Sequence, residues 1–575
     1  MATPEAACGK CCSVLKQWAC CTMATLPDSD ALSVAMASEG ESEGSNLLVV
    51  ESSSNASVIS MVVGSSECDV SDMAVDSSRH SDIDLAASDS DSDVGEPSCI
   101  SLRRHGQAPG GPSCISLRRH GQALGAVPRD SPRQSSLSDA FRWPIVVLLA
   151  LQDLLGNDNI KLSMLARSMQ ISSHFSGVGS AALAAFLLHA GLSILGLPSS
   201  CISSWHFSES CEKNRTCQKV LLRLCRGCVF TDMYELCPRL PPFAQLDHSD
   251  SSSVRNAVSA CFQLGPAWCA RHKQKCQPAA RNIDGNVTGS PCQPWSRAGT
   301  KKGVQDPRSM GLWIWIAWVQ AVKPLWAIHE NVLGFRTSLI DEAVGCSYKV
   351  FHIQSDPGHL GFTCIRRPRI YSVLLRKGCV RVVHDLHLAY KHVCEAVSAR
   401  GTVPLLDLFF ATPSELLEEE NRRRRQEHLG PLAGHTSNWS YLLTKTQVKA
   451  CKDYMVMWQR ECGTDPAQDD SCLFDLNQNP LSGNRKSWTF SASTGYSLPT
   501  LRFSGNLLWS PKSKRWLLPV ECASAMGWPV RDSHVPATGI PPCNIDFTMR
   551  KLGNSMHIAC VGTLLAVTLA CTASE

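Results

Sequence analysis

Ile171-Ser172-Ser173-His174-Phe175-Ser176-Gly177-Val178-Gly179-Ser180 runs directly into the apolar stretch Ala181 to Leu188. The order is strand, glycine-rich turn, buried helix. Such a junction lets a backbone approach a ligand closely and aims the free N–H groups of a helix N-terminus at it. A Gly-x-Gly pair by itself is a weak signal, since a tight turn with no ligand reads the same way.

Working outward, the next apolar piece, Ser203 to Ser208, ends at Cys211-Glu212. A third, Cys228-Val229-Phe230-Thr231-Asp232, also ends on an acid. In nucleotide-type folds an acid at the end of the second strand accepts hydrogen bonds from ribose hydroxyls. Strands alternating with helices in this way predict a mostly parallel α/β sheet. Upstream, Trp143 to Met169 reads as helical. Downstream, the strand-like Ile283 to Thr288 is followed by Pro291-Cys292-Gln293-Pro294-Trp295-Ser296. A cysteine between two prolines sits on a stiff loop, because proline fixes its own φ and restricts its neighbour. That loop suits a displayed nucleophile, although a cysteine is more often a small buried hydrophobe.

The 575 residues suffice for two to four domains. A net charge of +4 conceals an asymmetry: residues 1–100 hold 17 acidic and three basic residues, while residues 101–575 hold 34 acidic and 52 basic. A basic body behind an acidic head suits polyanion binding, and a surplus spread over solvated faces accounts for it equally. Pro27 to Gln134, rich in Ser, Asp, Glu and Gly, buries too little apolar surface to offset the entropy of ordering and is expected to be disordered. It contains a direct repeat, Pro97 to Ala108 recurring at Pro112 to Ala123, whose Ser-Leu-Arg-Arg cores read as phosphorylation or partner tags, or as a duplication without a role.

The 29 cysteines follow no repeating spacing and no secretory leader is recognisable before them, so the thiols read as reduced and intracellular. The run Trp143 to Leu155 is interrupted by Gln152-Asp153 and is too short to span a bilayer, so no membrane segment is expected. A polar insert between Pro238 and Arg281 holds Cys269-x-x-His272-x-x-x-Cys276, zinc-competent ligands with Cys261 the candidate fourth. Structural zinc sites usually show paired C-x-x-C ligands, so the expectation is a chain without a metal site.

Taken in order, Phe175-Ser-Gly-Val-Gly179, Glu212, Asp232, Pro291 to Ser296, Gly299-x-x-x-Gly303-x-x-Asp306-x-Arg308, Glu330-Asn331-Val332, Arg367-Pro368-Arg369-Ile370-Tyr371 and Gly553-Asn554-Ser555 resemble the DNA (cytosine-5) methyltransferase family. The likeness runs from about residue 170 to Glu575, and Pro519-Val520-Glu521 through Pro529 resembles the motif that closes that family's target recognition domain. It implies a Rossmann-like class I methyltransferase sheet with a smaller target recognition domain and a disordered acidic N-terminal region. The implied division is a tail at 1–137, a first catalytic part at 138–377, a target recognition region at 378–514, and catalytic completion at 515–575.

The resemblance further implies S-adenosylmethionine as methyl donor and DNA as partner, with a flipped-out cytosine. Cys292 would add to carbon 6 of the base, Glu330 would bond or protonate N3, and Arg369, with Arg367 beside it, would stabilise O2. Phe175 and the Gly177 to Gly179 turn would lie under the methionine part, Glu212 on the ribose and Asp232 near the adenine, with Pro291, Asn554 and Met556 closing the pocket. RNA is the alternative substrate, a non-enzymatic nucleic-acid scaffold the alternative class, and the oligomeric state is open. A DNA substrate implies the nucleus, or an organelle.

Departures from the pattern fall at Ser173, Ser180, Lys213 and Ile365, where the family usually has an acid, a glycine, an aromatic and a glutamine. They bear on donor affinity. Within 378–514, Thr412-Pro413-Ser414-Glu415 reads as a capping box with proline at N1. Glu418, Glu419 and Glu420 are then expected to pair with Arg422, Arg423 and Arg424 at i,i+4. Ser487 to Phe490 and Leu501 to Trp509 alternate like strands.

Overall fold

A computed structural model describes residues 136–195, 205–247, 250–278, 283–297, 299–398, 403–480, 489–490, 497–534, 538 and 542–575. The acidic tail and its repeat lie outside the described residues. Trp143 to Met169 is helical in pieces: helix α1 (Trp143–Leu155) breaks at Gly156, whose φ is +80°, a short helix follows at Asn157–Leu162 and a 3-10 turn at Met164–Ala166. Only the end of the reading needs correction, since Met169 already begins strand β1 (Met169–His174).

The predicted alternation then follows: α2 (Ser180–Ile194), β2 (Trp205–Cys211), α3 (Arg215–Leu224), β3 (Cys228–Phe230), α4 (Ser251–Cys261) and the hairpin β4 (Ala267–Cys269) and β5 (Gln274–Cys276). Next come β6 (Gly285–Thr288), α5 (Met310–Val322), β7 (Trp326–Val332), α6 (Ser338–Val344), β8 (Tyr348–Ser355) and β9 (Arg369–Arg376). These nine strands form one sheet in the order β5-β4-β3-β2-β1-β6-β7-β9-β8. From β3 to β7 all neighbours are parallel, β9 runs antiparallel between β7 and β8, and β4 and β5 add an antiparallel edge. The chain order reverses at β1, with β2 on one side and β6 on the other. That switch opens a crevice beyond the carboxyl end of β1, where Phe175 to Gly179 lies.

The sheet's middle is polar as well as buried. Asn286 Nδ2 donates to Ser172 Oγ at 2.8 Å and faces His174 Nδ1 at 3.0 Å, and Trp315 Nε1 donates to Asn286 Oδ1 at 2.8 Å. Helix α5 is apolar on every face and buried, as a helix without a polar side must be.

After β10 (Val380–Val382) and α7 (Leu386–Ser398) the chain leaves the sheet for α8 (Pro413–Gln426) and α9 (Lys445–Cys462). There follows a small sheet of β11 (Leu473–Asp475), β12 (Thr489–Phe490), β13 (Leu508–Ser510) and β14 (Arg515–Trp516), ordered β12-β11-β13-β14. It has its own core around Trp439, Tyr454, Trp458, Phe474, Trp509 and Trp516. Only Leu508 and Trp509 of the expected strand at 501–509 are extended in pairing. Arg502 N donates instead to Asn506 Oδ1 at 2.8 Å, closing a loop over Gly505.

The capping box of α8 is present. Of the expected i,i+4 pairs, Glu419–Arg423 is present at 3.8 Å, and Glu419 also holds Arg422 at 2.6 Å. Glu420 and Arg424 do not pair: buried Glu420 accepts from Thr436 N at 2.7 Å and Tyr441 Oη at 2.7 Å, and Arg424 reaches Gly430 O at 2.6 Å, so these two fix the next loop instead.

The chain returns through α10 (Pro519–Ala525), α11 (Met549–Gly553) and α12 (Ile558–Ala570), and β15 (Thr572–Ser574) pairs antiparallel with β10. The stretch Met549–Ala570 is apolar and long enough to cross a membrane by composition, yet 83% of its most apolar 18-residue window is buried inside the fold, where α12 packs on α1 and α2.

His174, His329 and His557 are buried, and burial pulls each down to a pKa of about 3. An unfolded histidine titrates at about 6.5, so the unfolded chain takes up protons before the folded one does. The stabilisation is complete above that value and is lost as pH falls toward 3. Urea unfolding should show a loss of about 2 kcal/mol per histidine between pH 7 and pH 5; an unchanged midpoint across that window would contradict the burial.

Candidate active site

The cysteine loop leaves the carboxyl end of β6 and is held from both sides. Cys292 O accepts from Trp295 N at 3.0 Å and Ser296 N at 2.9 Å, which folds the hexamer into a turn. Gly303 N donates to Pro294 O at 3.0 Å, and a Cβ on Gly299 would fall 1.9 Å from Gln293 O, so the loop closes only over glycine there. Before the cysteine, Ser290 Oγ contacts His329 Nε2 at 2.8 Å and accepts from Asn331 Nδ2 at 3.1 Å. Beyond it, Arg308 grips Asp306 with Nε at 2.8 Å and Nη2 at 2.6 Å. None of Ser290, His329, Asn331, Asp306 and Arg308 was a candidate site residue. Asp306, Arg308 and Asn331 stand within motifs of the sequence, and the alternation along β7 hints at His329, which shares with Asn331 a face pointing back at the cysteine loop.

Cys292 is half-buried, and burial raises its thiol above the ordinary value; Arg369 and Arg367 oppose that, and Glu330 adds to it. Glu330 and Arg369 meet by register. Val332 stands opposite Arg369 across β7 and β9, and Glu330 is on the same face two residues back, within diagonal reach. Arg369 Nε lies 2.9 Å from Glu330 Oε1, and both side chains are 12% exposed.

Arg367 is placed otherwise. It is buried, and its guanidinium donates to Leu501 O at 3.2 Å, Gly553 O at 3.0 Å and Ser555 O at 2.6 Å. Burial, then Arg369, lowers its pKa to about 10. Arg367 thus ties three segments of chain together, and it is a positioning residue rather than one that reaches the crevice.

The crevice itself is built on Glu212. Its Oε2 accepts from Gly177 N at 2.8 Å and its Oε1 from Asn214 N at 2.8 Å, which leaves a lone pair on each oxygen. Burial pushes Glu212 up, while the amides of Asn214 and Gly177 pull it down. Gly177 and Gly179 adopt φ of +55° and +85°, the left-handed backbone that the turn requires. Phe175, at φ +50°, is a non-glycine in the same strained region, and its ring packs where Gly311 and Pro291 approach. Asp232 Oδ1 accepts from Tyr234 N at 3.0 Å, and its Oδ2 pairs with exposed Lys213 at 3.0 Å.

The C-terminal segment closes the far side. A Cβ on Gly177 would stand 3.7 Å from Asn554 O, and one on Gly289 would stand 2.8 Å from Met556 Cε and 3.3 Å from Glu330 Oε2. Of the departures, Ser173 is buried in β1, and Ile365 is buried and bridges to Leu498. Ser180 Oγ at the head of α2 is buried with no hydrogen-bond partner among the described residues. The structure thus sets the Glu330–Arg369 pair close enough to Cys292 to act on its charge, Phe175 against Pro291, Gly177 against Glu212 and Asn554, and Met556 against Gly289, whereas Gly179 faces Leu221 and Leu224.

Residues 271–383 match the family profile described as C-5 cytosine-specific DNA methylase. The match is confined to that segment, which holds Cys292, Glu330, Arg367 and Arg369. It is similar to the type II methyltransferase M.FnuDI of Fusobacterium nucleatum, 37% identical over 68 residues, which is 12% of this chain and 20% of the relative. It is also similar to the type II methyltransferase M.NgoPII of Neisseria gonorrhoeae, 30% identical over 103 residues, 16% of this chain and 30% of the relative. The matches therefore span less than a third of either relative. Among solved structures, the S. pombe Dnmt2 methyltransferase aligns over 70% of this chain and 98% of its own with 14% identity and a TM-score of 0.32.

Within the matched segment two arginines, Arg367 and Arg369, divide the work, and the division is testable. Arg369→Ala should leave stability within about 1 kcal/mol, whereas Arg367→Ala, which strips three buried carbonyls of their donor, should cost about 3 kcal/mol or more in denaturant unfolding. Iodoacetamide should alkylate Cys292 with a rate that rises with pH to a midpoint above that of a free thiol. Arg369→Ala should move that midpoint higher and Glu330→Gln lower; the reverse order would refute the arrangement of charges.

Proposed function

We propose that this chain transfers a methyl group to carbon 5 of cytosine in DNA, with S-adenosylmethionine as donor. The observation that carries the reading is the convergence of a loop-borne thiol and a half-buried Glu–Arg pair at one end of a crevice whose floor is a glycine turn held by an acid. The crevice suits that donor: Glu212 keeps free lone pairs for hydroxyls, Asp232 sits one strand further for an amine, and Phe175 offers a ring beside Pro291. When bound, the donor supplies an electrophilic methyl group.

Carbon 5 of cytosine is a poor nucleophile until carbon 6 is attacked. Cys292, as thiolate, forms a bond to carbon 6, and the displaced electron pair makes carbon 5 nucleophilic. Negative charge grows on N3 and O2 of the base; Glu330 shares a proton with N3, and Arg369, fixed by Glu330, meets the charge at O2. Once carbon 5 carries the methyl group, its proton leaves to water, the carbon 5–carbon 6 double bond reforms and Cys292 departs as thiolate. Because the thiol's pKa is raised, adjacent Arg369 and Arg367 matter most in the thiolate form. A base inside a duplex must leave the stack to reach Cys292. We assign residues 378–514, which carry three of the four strands of the separate sheet, to target recognition, and a DNA substrate implies the nucleus or a DNA-holding organelle.

Full-length protein incubated with labelled donor should label cytosine-containing duplex, and Cys292→Ala should reduce transfer by roughly 10³-fold or more. Duplex and tRNA offered side by side identify the acceptor. Label on tRNA alone, or label that survives Cys292→Ala, would overturn this reading.

A further inference from the structure

At the β3-β4-β5 end of the large sheet, four side chains from three stretches of chain meet. Cys228 begins β3, Cys269 ends β4, His272 sits in the turn between β4 and β5, and Cys276 ends β5. Their three Sγ atoms and His272 Nδ1 all lie within 4.8 Å of one another. The fourth member is therefore Cys228, not Cys261, whose Sγ faces Arg239 O at 3.6 Å.

His272 Nδ1 stands 3.6 Å from Cys228 Sγ, 3.5 Å from Cys269 Sγ and 3.3 Å from Cys276 Sγ. Hydrogen bonding alone does not account for this convergence. An imidazole Nδ1 carries either one proton or one lone pair, so it serves one thiol and leaves two without purpose. Apolar packing does not account for it either, since His272 is exposed and only Cys269 is fully buried. A central ion does. Zinc bonds thiolate sulfur at about 2.3 Å and imidazole nitrogen at about 2.0–2.1 Å, and at a tetrahedral angle those lengths set sulfur and nitrogen about 3.6 Å apart.

The surrounding backbone is shaped to hold the four in place. Phe230 pairs with Cys269 across β3 and β4, and Ala267 pairs with Cys276 across the hairpin. Lys273 turns the chain at φ +54°, with its N–H on Cys269 O at 2.9 Å. Arg271 reaches back to the approach to Cys228, with Nε on Gly227 O at 2.9 Å and Nη2 on Leu222 O at 2.8 Å, and also bonds Cys225 O.

We propose that Cys228, Cys269, His272 and Cys276 bind one structural zinc ion. Four protein ligands fill a tetrahedral shell and leave no position for water or substrate, which marks a structural rather than a catalytic centre. Three sulfurs select zinc over magnesium or calcium. The ion joins the hairpin to β3. The hairpin in turn holds the segment after β3, where Thr231 N donates to Trp268 O at 3.1 Å and Trp268 N donates to Glu235 Oε2 at 2.8 Å.

The test uses the full chain, reduced and free of any histidine tag. Elemental analysis after dialysis should find about one zinc per chain. Cobalt titrated into chelator-treated protein should give the intense visible bands of a tetrahedral thiolate site, saturating at one equivalent. Cys276→Ser and His272→Ala should each abolish stoichiometric binding, while His272→Cys and Cys261→Ser should keep it. If a ligand variant fails to fold, wild-type protein decides alone: a thiol-blocking reagent should release one equivalent of zinc as the cluster's cysteines react. Zinc-free wild type that gives no cobalt bands would overturn the proposal. So would stoichiometric iron in place of zinc, zinc retained by both Cys276→Ser and His272→Ala, or a disulfide among these cysteines in freshly purified protein.

Discussion

A buried guanidinium fastens this fold. The large sheet is finished by β9, the chain leaves it after β10 and comes back as α11, α12 and β15 to pack on it and pair with β10, and Arg367 is where departure and return meet. Its guanidinium serves the carbonyls of Leu501, Gly553 and Ser555, one before the return and two within it. Burying a guanidinium is costly unless its donors are met, and carbonyl oxygens provide partners without introducing a second charge. The cost buys position: Asn554 and Met556 come to the crevice wall only because Gly553 and Ser555 on either side are gripped.

The same fastening explains why two arginines two residues apart behave so differently. Alternation along β9 sends Arg369 to the face shared with Glu330, at the mouth beside Cys292. Arg367 precedes the strand and turns inward. A cationic pair both facing the thiol would repel; one spent on backbone carbonyls and one on a carboxylate leaves a mouth in which charge is nearly balanced until thiolate and substrate arrive.

What was legible in the sequence was local. The strand, glycine turn and helix at 171–188, the acids closing β2 and β3, and the capping box of α8 are all set by neighbours a few residues apart, and the structure has each of them. What was not legible depended on partners far away in the chain. Cys228 becomes a neighbour of Cys269 only through the antiparallel pairing of β3 with β4 at the sheet edge. Spacing within the insert therefore pointed to Cys261, which α4 carries elsewhere. Glu420 looked like the partner of a nearby arginine and instead anchors Thr436 and Tyr441, because the helix face it lies on is covered by the following loop. Residues 501–507 alternate like a strand, but Asn506 offers Arg502 a side-chain acceptor that closes a turn first.

Helix α12 is apolar on every face and packs between α1 and α2, although 364 residues separate the end of α2 at Ile194 from its start at Ile558. At ribosomal speeds of 5–20 residues per second, roughly 20–70 s pass between the emergence of α2 and that of α12. Throughout that interval the surface that α12 will cover lacks its native partner, although α1 and α2 can already meet each other and α7 reaches α1 sooner. The nascent chain is thus a natural client for chaperones that shield exposed hydrophobic surface, and its yield in a cell is set by how well that wait is managed as much as by the stability of the finished fold.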